Sequence, residues 1–244
     1  QPTPDKLEPT AMPNKYVVLE RTEGELGFRR IAEVKSTHFT IKVTDKLIHS
    51  FKIVAVNDGG LSFPSEVLAL RDVGDSKQQI LIVNGFNRVS GPAHFSENGR
   101  SGLDSKEDFG VPYIRDISFT GYQTNFNKHA GNSHGASGSN YVNKVIAGNT
   151  FDYVAEHGES IAKAGFGFVS CSAGAVEAGH VKLENYKTVD FILGKQKATV
   201  IGNGKSGIMY EAFPADLQKK LQTYVHKGGH LFISGQYVGS DVAA

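Results

Sequence analysis

The residue types that could do chemistry lie mostly in the second half of the chain, and its single cysteine is the first of them. Cys171 follows an apolar run and precedes Ser172, Ala173 and Gly174, where a helix could begin. The N-terminus of a helix lowers the pKa of a nearby thiol, so Cys171 is a candidate catalytic nucleophile. A free cysteine is also among the most buried residue types, and a structural role for Cys171 is the alternative.

A long segment rich in Gly, Ser and Asn, from Asn84 to Asn149, holds further candidates. His94 and Glu97, with His129 or His134, could supply the three protein ligands of a hydrolytic zinc site. Their spacing matches no short metal signature, so no metal and no cofactor is predicted. His134 remains as a second candidate catalytic residue.

The start of the same segment could instead form a ligand pocket. Asn84, Gly85, Asn87 and Arg88 could line it, because an arginine binds a carboxylate, such as that of an acidic sugar, through two hydrogen bonds. A loop that is merely solvated is the alternative for these residues.

The bulk composition excludes several classes of function. The chain has 244 residues, with 26 Lys and Arg against 25 Asp and Glu, and this near-neutral balance predicts no nucleic-acid partner. No apolar stretch approaches the roughly 18 residues of a membrane-spanning helix. A single cysteine excludes an internal disulfide framework, and 28 glycines indicate many turns.

The first seventy or so residues alternate between apolar and polar types, which is typical of β-strands. A proline-rich lead-in over residues 1–15 precedes the predicted strands at 16–21, 28–34, 38–43, 48–56 and 66–70. Short strands at this spacing, without a helical pattern, predict a β-sandwich.

The end of this part resembles a fibronectin type III module. The string from Phe51 to Ser65, with Ala55, Asn57 and two glycines, is similar to the late strand, loop and final strand of that family. The family commonly has a tyrosine six residues before the alanine, and here His49 stands there. The first two strands of the family are missing. The resemblance therefore implies an incomplete immunoglobulin-like sandwich over residues 1–72, in which the chain begins inside the module.

A polar linker at residues 73–78 leads into a different pattern. Residues 79–85 form an apolar run typical of a strand buried on both faces, as in a parallel sheet. Helices around 151–162, at 173–186 and from Pro214 with Leu217, Leu221 and Val225 inward then alternate with strands at 166–171, 189–193 and 231–234. This alternation predicts an α/β domain over residues 79–244 with a doubly wound, flavodoxin-like sheet.

The second half resembles class I glutamine amidotransferase-like domains, in the strand 189–194 and in the run 224–235. Active members end the second of these strands in a Gly-x-Cys-x-Gly turn, whereas the turn here runs from Gly235 to Gly239 with Tyr237 at the place of the nucleophile. A phenol with a pKa of about 10 is a poor nucleophile at neutral pH. Gly235 and Tyr237 are therefore predicted to bind a ligand, in a domain truncated at its C-terminus.

Together the two resemblances imply a multidomain exported protein of the kind that Gram-negative gut bacteria carry under labels such as xanthan lyase or cell-wall amidase. The leading hypothesis is an accessory or scaffold fragment of such a protein, secreted, periplasmic or at the cell surface. Its partners would be the remaining domains of the parent protein and polysaccharide or peptidoglycan. The alternatives are an extracellular polysaccharide lyase or amidase/hydrolase with its site in the α/β domain, and a glycan-binding or adhesion module.

Overall fold

The structure is a computed structural model, and it describes residues 12–25, 27–62, 64–75, 79–85, 93–104, 153–194, 196, 199–200 and 209–239. These residues form an antiparallel sheet, a parallel sheet, two small strand pairs and three α-helices. No helix among them is long and apolar enough to cross a membrane.

Five strands near the N-terminal end form the antiparallel sheet: β1 (Lys15–Thr22), β2 (Arg29–Val34), β3 (His49–Asn57), β4 (Gly60–Leu61) and β5 (Leu68–Leu70). The strand β1 lies between β2 and β3 and pairs with β3 over its whole length. The short β5 pairs with the start of β3, where His49 lies opposite Leu70. The alternating pattern therefore predicts four of these strands correctly.

The predicted strand at residues 38–43 is wrong, because residues 38–44 adopt no regular structure. Phe39 and Ile41 are 42% and 39% exposed. Alternation stabilises a strand only where its apolar face meets a core and its backbone meets a partner strand. This segment has the pattern but lies outside the sheet.

Four strands form the parallel sheet in the order β13-β10-β6-β9: β6 (Gln79–Asn84), β9 (Gly167–Ser172), β10 (Thr188–Gly194) and β13 (His230–Gly235). Each observed strand lies within one residue of its prediction. The remaining strands pair antiparallel, β7 (Ala93–Glu97) with β8 (Arg100–Asp104) and β11 (Thr199–Val200) with β12 (Met209–Tyr210). The helices are α1 (Tyr153–Lys163), α2 (Ala173–Glu177) and α3 (Ala215–His226), with a short 3-10 helix at Leu183–Asn185.

The predicted helix at 173–186 is only five residues long, because Gly179 adopts a left-handed conformation with φ of 75° and ends α2. The predicted helix from Pro214 is confirmed as α3. Its inward positions are Leu217, Leu221 and Tyr224, spaced as one helical face requires, whereas Val225 is 46% exposed.

The two faces of the parallel sheet are covered by different elements. One face packs against α2, α3 and the 3-10 helix, through side chains such as Val176, Leu217 and Tyr224. The other face packs against α1 and, in the same cluster, against Ile48 just before β3 and Ala69 of β5. The antiparallel sheet thus supplies part of the cover of the parallel sheet.

The predicted fold class is therefore wrong. A sandwich needs two sheets packed face to face, and the described residues before position 76 form one five-stranded sheet. A doubly wound flavodoxin-like domain covers both sheet faces with its own helices, whereas one face here is shared between α1 and the antiparallel sheet. The described part of the chain combines an antiparallel sheet with a four-stranded parallel sheet and three α-helices.

Gly158 lets α1 approach β9 closely, which leads to a stability prediction. A Cβ at this position would overlap the ring of the fully buried Phe168. Overpacking commonly costs about 1–3 kcal/mol, which exceeds the gain in helix propensity of about 1 kcal/mol from alanine. We expect Gly158→Ala to lower the free energy of unfolding by about 1 kcal/mol or more in urea denaturation.

Gly174 in the first turn of α2 provides the control for this prediction. A Cβ there would meet only Ser172 Oγ, at 3.9 Å, an ordinary contact. Gly174→Ala should therefore be neutral or slightly stabilising. Equal stability of the Gly158→Ala protein and the unmodified protein would show that α1 packs less closely than the structure has it.

Candidate functional site at the carboxyl ends of the parallel strands

The carboxyl ends of β6 and β9 bring together three residues that the sequence predicted at two separate sites. In the parallel register, Val83 lies opposite Cys171 and Asn84 opposite Ser172. Gly85 follows directly, and its N–H donates to the carbonyl of Ile192 in β10 at 2.8 Å. Ligand sites of open α/β sheets gather outside such strand ends, so this edge is the candidate functional site.

Gly85 is required here by packing. A Cβ at this position would lie 2.7 Å from Phe191 Cε1 and 2.9 Å from Leu193 Cδ2. Any larger residue would push β6 away from β10. The ligand-binding assignment of Asn84 and Gly85 stays a prediction, and the predicted neighbours Asn87 and Arg88 lie outside the described residues.

Glu66 is the residue at this edge that the sequence analysis missed. Its Oε2 accepts a hydrogen bond of 2.6 Å from Asn84 Nδ2, between two side chains that are 18 residues apart in the chain. Burial raises the pKa of Glu66 to about 7, although the hydrogen bond from Asn84 acts in the opposite direction. Glu66 lies just before β5 in an ordinary strand pattern, so no local signal marked it.

Cys171 lies close to Glu66, and its surroundings keep the thiol protonated. Burial, together with the nearby charge of Glu66, raises the pKa of Cys171 to about 12. Ser172 caps α2 by accepting a hydrogen bond from the N–H of Ala175 at 3.2 Å, so a helix does begin where the sequence predicted. The burial of the thiol outweighs the effect of this five-residue helix. These surroundings disfavour a thiolate nucleophile, and the catalytic role of Cys171 stays a prediction.

Gly235 and Tyr237 lie at and beyond the end of β13, two strands away from β6. A Cβ on Gly235 would be 2.7 Å from Leu193 Cβ, so close packing requires this glycine. Tyr237 is partly buried in the turn that follows. Their predicted ligand binding is not tested by this geometry.

The other predicted catalytic residue, His134, lies outside the described residues, as does His129. His94 and Glu97 belong to the hairpin of β7 and β8. Among the residues that the structure describes, no group of three or more His, Cys, Asp or Glu side chains could hold a metal ion.

A His–Asp pair lies nearer the amino ends of the parallel strands. His157 Nδ1 of α1 is 2.7 Å from Asp190 Oδ2 of β10, and Asp190 is 7% exposed. The hydrogen bond to Asp190 raises the pKa of His157, against the opposing effect of burial. The other carboxylate oxygen, Oδ1, is buried and has no hydrogen-bond partner among the described residues. Asp190 precedes Ile192 by two residues, and Ile192 lies opposite Asn84, the partner of Glu66.

His49, in the antiparallel sheet, is a second histidine with carboxylate partners. His49 is buried, with Nδ1 2.8 Å from Glu20 Oε1 and Nε2 2.8 Å from Asp45 Oδ1. Burial lowers the pKa of His49, but the hydrogen bonds to Asp45 and Glu20 outweigh it, so the pKa is raised. These hydrogen bonds stabilise the folded chain fully below the ordinary histidine pKa of 6.5, and the stabilisation is lost as the pH rises through the raised pKa of His49.

Glu66 gives a pH-dependent prediction about stability. Its pKa in the folded chain, about 7, lies above its ordinary value of 4.5, so the folded state binds more protons between these values and stability falls as the pH rises through this range. In Glu66→Gln the side chain at this position is uncharged at every pH. We expect it to match the unmodified protein near about pH 4 and to be more stable by up to about 3 kcal/mol above about pH 8.

Urea denaturation of the two proteins across this pH range would measure the difference. Glu159→Gln, an exposed change of the same kind on α1, should give a small difference that does not depend on pH. A constant difference between Glu66→Gln and the unmodified protein would contradict the burial of the Glu66 carboxyl.

Asp190 gives a prediction about the titration of His157. Asp190→Asn removes the charge that raises the pKa, and burial then dominates. We expect the pKa of His157 to fall below the ordinary histidine value, as measured by NMR titration of the ring protons. An unchanged pKa of His157 would show that the pair does not form in solution.

Comparisons with known proteins identify no family for this chain. No protein-family model matches the chain, and no curated protein matches it. The twitchin kinase region from C. elegans (Fn31-NL-kin-CRD-Ig26) is similar to 23% of this chain, with 24% identity and a TM-score of 0.22. Titin kinase and its flanking domains are similar to 34% of it, with 16% identity and a TM-score of 0.24. The matched parts span 10% and 20% of those structures, and the TM-scores are too low to support an argument about the fold.

Proposed function

We propose that this chain is a rigid accessory or scaffold part of a larger exported protein that acts on polysaccharide or cell wall. The observation that carries the proposal is the junction of the two sheets. Ser170 Oγ of β9 accepts a hydrogen bond from the N–H of Ala69 at 2.8 Å and donates one to the carbonyl of Ala69 at 2.6 Å. Arg71 and Phe168 exchange two backbone hydrogen bonds of 2.9 and 3.0 Å.

The guanidinium of Arg71 strengthens the junction by contacting both parts. Its Nε donates to the carbonyl of Lys46 and its Nη1 to the carbonyl of Phe166, each at 2.8 Å. Gly167 permits this approach, since a Cβ there would lie 2.9 Å from the carbonyl oxygen of Arg71. Backbone pairing of this kind fixes the orientation of two units more firmly than the polar contacts usual between mobile domains.

The chemistry of Cys171 supports a scaffold role, because a thiol with a pKa of about 12 supplies no thiolate at neutral pH. Catalysis would then belong to other domains of the parent protein. The exported location rests on the resemblance of residues 51–65 to a fibronectin type III module. The partners in this proposal are the remaining domains of the parent protein, with polysaccharide or peptidoglycan as the target.

A hydrolase or lyase is the second candidate function, and Glu66 is the observation that favours it. A carboxyl with a pKa of about 7 can both donate and accept a proton at neutral pH. Asn84 would orient it through the 2.6 Å hydrogen bond. In this candidate Glu66 is the general acid or base and Cys171 has no catalytic part.

Turnover on a panel of glycans and peptidoglycan fragments separates the two candidates. The scaffold proposal expects no turnover by this chain, with or without Glu66→Gln. Turnover that is lost in Glu66→Gln and kept in the exposed control Glu159→Gln would replace the scaffold proposal with the enzyme.

The junction itself can be tested with Ser170→Ala, which leaves the N–H and carbonyl of Ala69 without their partner. Unpaired buried groups cost about 1–3 kcal/mol each, so we expect a loss of about 2 kcal/mol in the free energy of unfolding. Ser160→Ala, on the exposed side of α1, is the control for this loss of stability.

Small-angle X-ray scattering should show one compact shape for the unmodified protein. A scattering profile of two units moving independently would refute the rigid scaffold.

A further inference from the structure

A groove of about 540 Å³ runs along α3, between this helix and the segment from α2 to the 3-10 helix. Its floor is apolar, with the buried Val176 and Leu183 beside Val181. Its rim carries four lysines, Lys182, Lys219, Lys220 and Lys227. An apolar floor under a cationic rim is suited to a ligand with apolar faces and negative groups.

A second groove of about 400 Å³ adjoins the first and shares Glu184 and Lys227 with it. It adds a fifth lysine, Lys187, together with Asn185 and the partly buried Tyr186. Because the two grooves share residues, they form one elongated surface beside the second half of α3. This surface, called the lysine groove below, is long rather than closed and fits a linear ligand.

The positive charge is local to the lysine groove, since the whole chain has a net charge of only +1. Lys227 Nζ lies 3.4 Å from Glu184 Oε1, and Lys219 Nζ lies 3.5 Å from Asp216 Oδ1. Both ion pairs are exposed to water and therefore weak. A carboxylate of a ligand can therefore take the place of Glu184 or Asp216 beside its lysine. Glu177 also faces Lys220 from α2. Five lysines thus outnumber three nearby carboxylates.

We propose that the lysine groove binds a linear acidic polysaccharide whose sugars carry carboxylates. The lysines pair with the carboxylates, and Glu184 and Asn185 bond the sugar hydroxyls. The apolar floor and the ring of Tyr186 contact the C–H faces of the sugars. The proposal rests on the proposed function for the class of target, and it adds where this chain holds that target.

Two other polyanions fit the lysine groove less well. Nucleic-acid sites combine a strongly basic domain with arginines and exposed aromatic rings for stacking, and no arginine among the described residues lines either groove. An acidic peptide would satisfy the lysines, but its aspartate and glutamate side chains carry no hydroxyl that could donate a hydrogen bond to Glu184. An acidic sugar can bind the lysines through its carboxylate and Glu184 through its hydroxyls.

Isothermal titration calorimetry with a galacturonic acid oligomer tests the proposal. The test variant is Lys182→Glu with Lys220→Glu, and the matched control is Lys35→Glu with Lys42→Glu, exposed lysines of the antiparallel part. We expect the oligomer to bind the unmodified protein and the control equally, and the test variant at least about tenfold more weakly, because attraction turns into repulsion at two positions. The methyl-esterified oligomer, which lacks the charge, should also bind more weakly. Thermal unfolding of both variants confirms that each is folded.

Three outcomes would overturn the proposal: no binding of the oligomer, an equal loss of affinity in the control variant, or equal affinity for a glutamate peptide or a single-stranded oligonucleotide of the same charge. The last of these would show a groove for polyanions in general. None of them affects the scaffold proposal, whose tests measure turnover and the junction between the sheets.

Discussion

The two sheets are held together by the contact between β5 and β9, and their shared core follows from it. Ser170 holds both backbone groups of Ala69, and Arg71 pairs with Phe168 beside it. These bonds draw Ala69 and Ile48 into the cluster under α1. Parallel sheets are stable when both faces are covered, and here the antiparallel sheet completes the cover. The two sheets therefore share a core.

The same contact explains the unusual position of Glu66. Ser65, just before it, is bound to β3 by two hydrogen bonds to the backbone N–H and carbonyl of Ile53, at 2.9 and 2.7 Å. The chain then has to pass over the carboxyl ends of β6 and β9 to reach β5, and Glu66 meets Asn84 there. Its carboxyl loses water, and the hydrogen bond from Asn84 offsets only part of that loss, so the pKa of Glu66 rises.

The two faces of the parallel sheet contact different parts of the chain. The α1 face is joined to the antiparallel sheet and carries the partly buried His157–Asp190 pair. The α3 face carries the lysine groove on its outer side, away from the junction. The junction with the antiparallel sheet and the lysine groove therefore lie on opposite faces of the parallel sheet.

The local sequence predicts the central strands β6 and β10 of the parallel sheet, because a strand buried on both faces needs a continuous apolar run, and such a run is visible locally. It also determined α3, through the spacing of Leu217 and Leu221. The predicted strand at 38–43 failed because pairing depends on a partner that a local pattern does not contain. What covers each face of the parallel sheet, and hence the fold, depends on how whole elements pack, which a local pattern does not contain. The same holds for the hydrogen bond between Glu66, just before β5, and Asn84 at the end of β6, with Cys171 nearby.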